Sequence, residues 1–310
     1  MTVNLTSTGW ENENGEVLGE WSNGRDFVSD NNQIEVAAGL TVDTLSGQDI
    51  LRNSSDNGGL LIGDNATLNT GSGGDFIISS GFIGIDLGSN ALLSTGNGSD
   101  KLFGEGLDGF FVGVGSAIET GRGKDTIYGK GVAVGVGSRG RIDTGDGDDF
   151  IFGEATGNNE FFGSTGIANF LGTIETGGGN DKIFGKGQVT GISNSSGVIS
   201  TGDGDDLIDA TTGGFEDRDG TGRIDLGSGN DTIRGFGDHR GTVDGGEGFD
   251  KAELGFSYDE NLIGFSSNDS TSLNITYESQ TMSFNNFETF NFNGQEFSLA
   301  ELQPGGETAI

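Results

Sequence analysis

The side chains best placed to do chemistry in this sequence are aspartates that recur behind glycine at one fixed offset. A ten-residue block occurs nine times: VDTLSGQDIL from Val42, LNTGSGGDFI from Leu68, LSTGNGSDKL from Leu93, IETGRGKDTI from Ile118, IDTGDGDDFI from Ile142, IETGGGNDKI from Ile174, ISTGDGDDLI from Ile199, IDLGSGNDTI from Ile224 and VDGGEGFDKA from Val243. Each carries a glycine two residues before an aspartate, at positions 49, 75, 100, 125, 149, 181, 206, 231 and 250. Such a pattern suits hard-cation binding, because calcium takes six to eight oxygens and a glycine turn points carbonyls into a concavity beside the carboxylate. Adjacent turns stacked at the ~4.8 Å spacing of β-strands would share an ion and offset the repulsion between stacked carboxylates. The alternative is that each aspartate only caps the backbone of its own turn.

Familiar catalytic sets have no material here. His239 is the only histidine, cysteine is absent, and neither G-x-S-x-G nor a P-loop occurs. Paired acids such as Asp205 and Asp206 imitate a glycosidase dyad. They belong, however, to a motif repeated along the whole array, whereas catalysis needs one unique cluster. No enzymatic activity is therefore expected, and His239, within RGFGDHRGT, reads as a solvated turn residue.

The aspartates fall at spacings of 26, 25, 25, 24, 32, 25, 25 and 19 residues, so whatever positions them repeats about every 25. Two aliphatic columns run through the copies: Val42, Leu68, Leu93, Ile118, Ile142, Ile174, Ile199, Ile224 and Val243 before the loop, and Leu51, Ile77, Leu102, Ile127, Ile151, Ile183, Ile208, Ile233 and Ala252 after it. If each period is one coil, each column becomes an inward ladder, and the remainder of the period supplies a further wall. The expected fold is all-β: a right-handed parallel β-solenoid of about nine coils over residues 42–252, with an N-terminal cap at 1–41 and a small β cap at 253–310.

Composition agrees. The 310 residues include 62 Gly and 1 Pro, without a collagen period, and the formal net charge is -33. That charge makes cations the expected partners and repels nucleic acid and anionic membrane surfaces. No run of 18 apolar residues offers membrane insertion. The start, MTVNLTSTGWENENGE, lacks a basic stretch followed by an apolar one, so no cleaved leader is expected if Met1 is the true start.

The form G-x-G-x-D-x-U, with U aliphatic, resembles the calcium-binding nonapeptide of the repeats-in-toxin (hemolysin-type) family, most closely in DGGEGFDKA. The resemblance implies a parallel β-roll, calcium (Ca2+) held in the turns, and type I secretion to the extracellular space or cell surface. It assigns the metal to Asp75, Asp100, Asp125, Asp149, Asp181, Asp206, Asp231 and Asp250, with Gly73, Gly98, Gly123, Gly147, Gly179, Gly204, Gly229 and Gly248. Three departures matter. Family repeats follow every nine residues, whereas here one loop serves about 25. Threonine replaces the first family glycine in seven copies (Thr44, Thr70, Thr95, Thr120, Thr144, Thr176, Thr201). The first copy has Leu45 in its loop, and Arg122 and Lys124 flank Asp125, so both loops should bind more weakly.

At the ends, Trp10 and Trp21 are expected to pack as a cap over the first coil, with carbohydrate binding as the alternative, while FNNFETFNFNG resembles the C-terminal region of type I secreted proteins. The long period from Gly153 to Thr173 carries Phe161, Phe162 and Phe170 as a bulge or an extra buried strand. The expected role is a secreted calcium-binding structural protein, of a surface, matrix, filament or adhesin kind, folded by calcium between coils. Its partners would be calcium, further copies of itself, or a cell-surface polysaccharide. The alternative is an accessory module of an exported polysaccharide-acting enzyme.

Overall fold

The computed structural model describes residues 2–54, 58–157, 164–217, 219–267 and 269–303. They form an all-β solenoid of 34 strands, largely parallel, wound so that each period closes one coil. A coil has three walls. In one of them Thr126–Ser138 runs through the first wall and bends into the second, and Arg141–Asp143 makes the third before the glycine loop returns the chain. Its first half pairs in register with Phe150–Ala155, its second half with Thr165–Asn169, and the third wall with Thr173–Glu175.

Register follows from the side-chain period of two, because a slip of one residue would turn every aliphatic outward. Both expected columns are inward ladders: Ile118, Ile142, Ile174, Ile199 and Ile224 in the third wall and Leu102, Ile127, Ile151, Ile183 and Ile208 in the first are all 0% exposed. The second wall adds Ile34, Leu60, Ile85, Phe110, Val136, Ile167, Ile192 and Phe215. Phe110 is thus core, whereas Phe170 is 42% exposed, and Phe161 and Phe162 lie outside the described residues.

Glycine sets the shape of the coil in two places. Where the first wall bends into the second, backbone meets backbone: a Cβ at Gly129 would lie 2.2 Å from the Gly135 carbonyl oxygen, and one at Gly153 2.2 Å from that of Gly166. In the loops, stacking is closer still. A Cβ at Gly147 would lie 1.4 Å from the carbonyl oxygen of Gly123 on the preceding coil, and Gly147 has φ +150°. Leu45 takes the same left-handed backbone as the loop glycines, with φ +78°.

Coil stacking begins ahead of the nine copies. Phe27–Asp30 pairs with Ile50–Asn53 and Gln33–Val36 with Leu60–Ile62, so the array reaches into the segment expected to be only a cap. Thr2–Leu5 then lies on Gln33–Val36 and starts an antiparallel sheet with Gly9–Asn12 and Val17–Glu20. The two tryptophan rings meet at 4.9 Å on this cap, and the Trp21 indole N–H donates to the Thr6 carbonyl at 2.8 Å. At the other end Gln280–Asn285 extends the third wall and Thr289–Phe292 the first, placing Phe284 on Val243 and Phe290 on Ala252. His239 departs from expectation. It sits in the strand Asp238–Asp244 between Asp217 and Met282 and is fully buried, because the last coil is covered by the C-terminal strands.

Gly147→Ala should lower stability by about 3 kcal/mol, a core-clash magnitude, since neither loop backbone can yield. Gly39→Ala, with nothing within 4 Å and φ +73°, should cost only about 1 kcal/mol for the left-handed backbone. Denaturant melts of the two variants check this; equal losses would show that the loops are not in backbone contact.

Candidate functional site: a buried aspartate column

All eight expected aspartates stand in one column, and so does Asp49, but they point into the coil. Asp49, Asp100, Asp125, Asp181 and Asp231 are 0% exposed, and Asp75, Asp149, Asp206 and Asp250 at most 3%. Alternation explains this: Asp precedes the inward aliphatic by two residues, so both share the inner face.

Each carboxylate acts on the coil before it. The backbone N–H of Asp26 donates to Asp49 Oδ1, that of Asp49 to Asp75, and so on through Asp100, Asp125, Asp149, Asp181, Asp206 and Asp231 to Asp250, at 2.7–2.9 Å. The Asp250 N–H ends the run on Glu288 Oε2 at 2.7 Å. A backbone donor inside a solenoid must find an acceptor, and here the next coil supplies it.

The threonines explain their own place in the motif. All seven are 0% exposed beside the column. Thr44 and Thr70 donate their hydroxyls to Asp49 and Asp75 Oδ2, the latter at 2.6 Å. From Thr95 onward the hydroxyls turn to the next coil's carbonyl, as Thr95 to Thr120 O at 3.5 Å, Thr120 to Thr144 O at 3.2 Å and Thr201 to Leu226 O at 2.8 Å, and Thr44 also reaches Thr70 O at 3.1 Å. The Oδ2 atoms of Asp100, Asp125, Asp149, Asp181, Asp206, Asp231 and Asp250 have no partner at normal hydrogen-bond geometry, although the Thr95, Thr120, Thr144, Thr176 and Thr201 hydroxyls lie near enough to favour the charged form of the first five.

Burial raises the affinity of these carboxyls for a proton. Asp100, Asp149 and Asp231 are pushed up to about 7 and Asp181 and Asp250 to about 6, mainly by loss of water; the donated N–H offsets part of the rise, and neighbouring carboxylates add to it.

The loop glycines are brought together too, in direct backbone contact. Gly73 N–H donates to Asn97 O at 2.8 Å, Gly123 to Asp146 O at 2.8 Å and Gly179 to Asp203 O at 2.8 Å, while Asp146 N–H reaches Gly121 O at 3.0 Å. From Asp100 to Asp250 each coil has one Oδ2 without a partner, whereas a calcium shell takes six to eight oxygens. Among the described residues no three His, Asp or Glu side chains gather as a metal cluster. As placed, Oδ1 of each carboxylate caps the backbone of the preceding coil, and from Asp100 onward Oδ2 is left for another partner.

The arginine expected to weaken one loop lies on its outer side. Arg122 does not crowd the inward Asp125; it pairs with Asp146 at 3.1 Å on the exposed side of the loops. A second, exposed ladder repeats the capping logic, with Asn180 N–H on Asp148 Oδ1 at 3.0 Å and Asn230 N–H on Asp205 Oδ1 at 2.8 Å. Sequence reasoning missed both ends of the buried column. Asp26 was findable, since Gly24, Asp26 and Val28 reproduce G-x-D-x-U, whereas Glu288 replaces the aspartate with a longer acid outside any repeat. No model of a known protein family matches the chain, and no curated protein matches it.

The titration has a definite sign. An acid whose folded value lies above its unfolded value of about 4 contributes stability that is complete below pH 4 and lost as pH rises through 6 to 7. His239, lowered to about 4 by burial, works oppositely: its contribution is complete above about pH 6.5 and lost as pH falls toward 4. Several aspartates outweigh one histidine, so the melting temperature in chelator should be higher at pH 5 than at pH 8. Asp149→Asn should narrow that difference while keeping an acceptor for Asp125, and Asp149→Ala should cost about 1–3 kcal/mol by stranding the Asp125 N–H. A wild-type melting temperature that rises from pH 5 to pH 8 would contradict the buried column.

Proposed function

We propose that the protein is a secreted, non-catalytic structural solenoid, a stiff parallel-β rod acting at a cell surface or in an extracellular matrix. The observation that carries this reading is repetition: every aspartate of the column, from Asp49 to Asp250, makes the same bond to the same backbone group one coil away. A catalytic site needs one set of groups unlike the rest. The buried groups that depart from the pattern, Asp217 and His239, are both closed to solvent. The motif's likeness to the repeats-in-toxin family supports type I export. Self-association is supported at the N-terminal end, where the outer strand Val17–Glu20 leaves Val17 66% and Leu18 51% exposed. No described helix is long and apolar enough to cross a membrane.

A second reading, in which calcium holds the coils together as the family resemblance implies, has one observation in its favour. Seven successive buried carboxylates each have an oxygen without a partner, in a chain of net charge -33. Circular dichroism separates the two. On the capping account the chain is β-folded in excess EDTA, and millimolar calcium raises its melting temperature only by a few degrees through charge neutralisation. A chain unfolded in EDTA that gains its β-structure on adding calcium would overturn that account in favour of the second reading.

A further inference from the structure

The outward face of the first wall is unlike the rest of the surface. Over six coils, from Ile50–Asn53 to Lys182–Lys186, outward positions follow the pairing register. Of seventeen such side chains, six are aromatic (Phe76, Phe103, Tyr128, Phe150, Phe152, Phe184) and five basic (Arg52, Lys101, Lys130, Lys182, Lys186); only Glu105 and Glu154 are acidic. Five positive less two negative gives +3 on this patch, within a chain of -33. The core does not need these rings, because Leu102, Ile127, Ile151 and Ile183 fill the inner face beneath them.

The rings form a row along the solenoid axis. Phe103, Tyr128, Phe152 and Phe184 follow one another at centroid distances of 5.9, 5.1 and 6.3 Å, all half-buried. Their flank is ordered: Lys130 pairs with Glu105 at 2.6 Å, Lys186 with Glu154 at 2.8 Å, and the Tyr128 hydroxyl donates to Glu154 at 3.0 Å. At one end the row opens into a cleft of about 400 Å³ bounded by Arg52, Ser80, Phe103, Glu105, Tyr128 and Lys130.

We propose that this face binds a linear acidic polysaccharide, a uronic-acid chain lying parallel to the solenoid axis. Equal subsites at the strand spacing suit a polymer of like units of similar length. The rings offer apolar faces to the C–H faces of the sugars, the lysines and Arg52 meet the carboxylates, and Glu105 and Glu154 accept hydroxyls. Beyond about 8 Å the rest of the molecule's negative charge is screened at physiological salt, so the local sign decides. This inference rests on the reading of the chain as a non-catalytic extracellular solenoid and gives that solenoid something to hold.

The test is affinity electrophoresis of the full chain in EDTA, in gels containing polygalacturonate or neutral dextran, with circular dichroism on every sample. Retardation by polygalacturonate and not by dextran is expected. Tyr128→Ala and Phe152→Ala should each weaken it at least tenfold, and Lys182→Glu should do so with a reduced salt dependence. All three positions face outward, so their spectra should match wild type. No retardation of a folded chain, or equal retardation by dextran, would overturn the proposal. So would light scattering that shows a dimer dissolved by the same variants, since the face would then belong to a second copy. An unfolded wild-type chain in EDTA would instead strike at the structural reading beneath it.

Discussion

Everything in this molecule depends on one backbone group per coil, the N–H of the residue that ends the glycine loop. It is buried, it faces along the axis, and only the next coil can supply its acceptor. Aspartate does so with one oxygen, nine times, and Glu288 closes the series. A hydrogen bond to a charged acceptor is worth about 1.5–3 kcal/mol, whereas an uncompensated buried carboxylate costs several. The column therefore adds little to stability at neutral pH. Its contribution is to register: only one alignment of a coil on its neighbour brings N–H to carboxylate.

The close glycine stack follows from the same constraint. For the N–H of Asp125 to reach Asp149 at 2.8 Å, the loops must lie in backbone contact, and a side chain at Gly123 or Gly147 would hold them apart. The threonines fill the remaining inner space with a hydroxyl that serves either the carboxylate or the next carbonyl. The motif is thus one solution to packing a polar turn inside a β-solenoid, with each residue type fixed by a different bond.

Much of this was legible in the sequence. The period, the two aliphatic ladders and the all-β solenoid follow from alternation and repeat length, which are local properties. The direction of the aspartates was open to both readings, because Asp in a glycine turn can face the loop concavity or the core, and only its parity with Ile127 or Ile151 decides. His239 could not be placed, since its burial depends on strands more than 40 residues further on, around Met282. The aromatic row was invisible for a similar reason: Phe103, Tyr128, Phe152 and Phe184 are separated by 24–32 residues and meet only once coils are in register.

Hydrogen–deuterium exchange in EDTA, followed by mass spectrometry, tests the column most directly. If aspartate carboxylates hold the loop amides, peptides covering Thr120–Asp125, Thr144–Asp149 and Thr201–Asp206 should be as protected as those covering the first wall. Loops that exchange at once beside protected walls, and become protected only when calcium is added, would contradict the account.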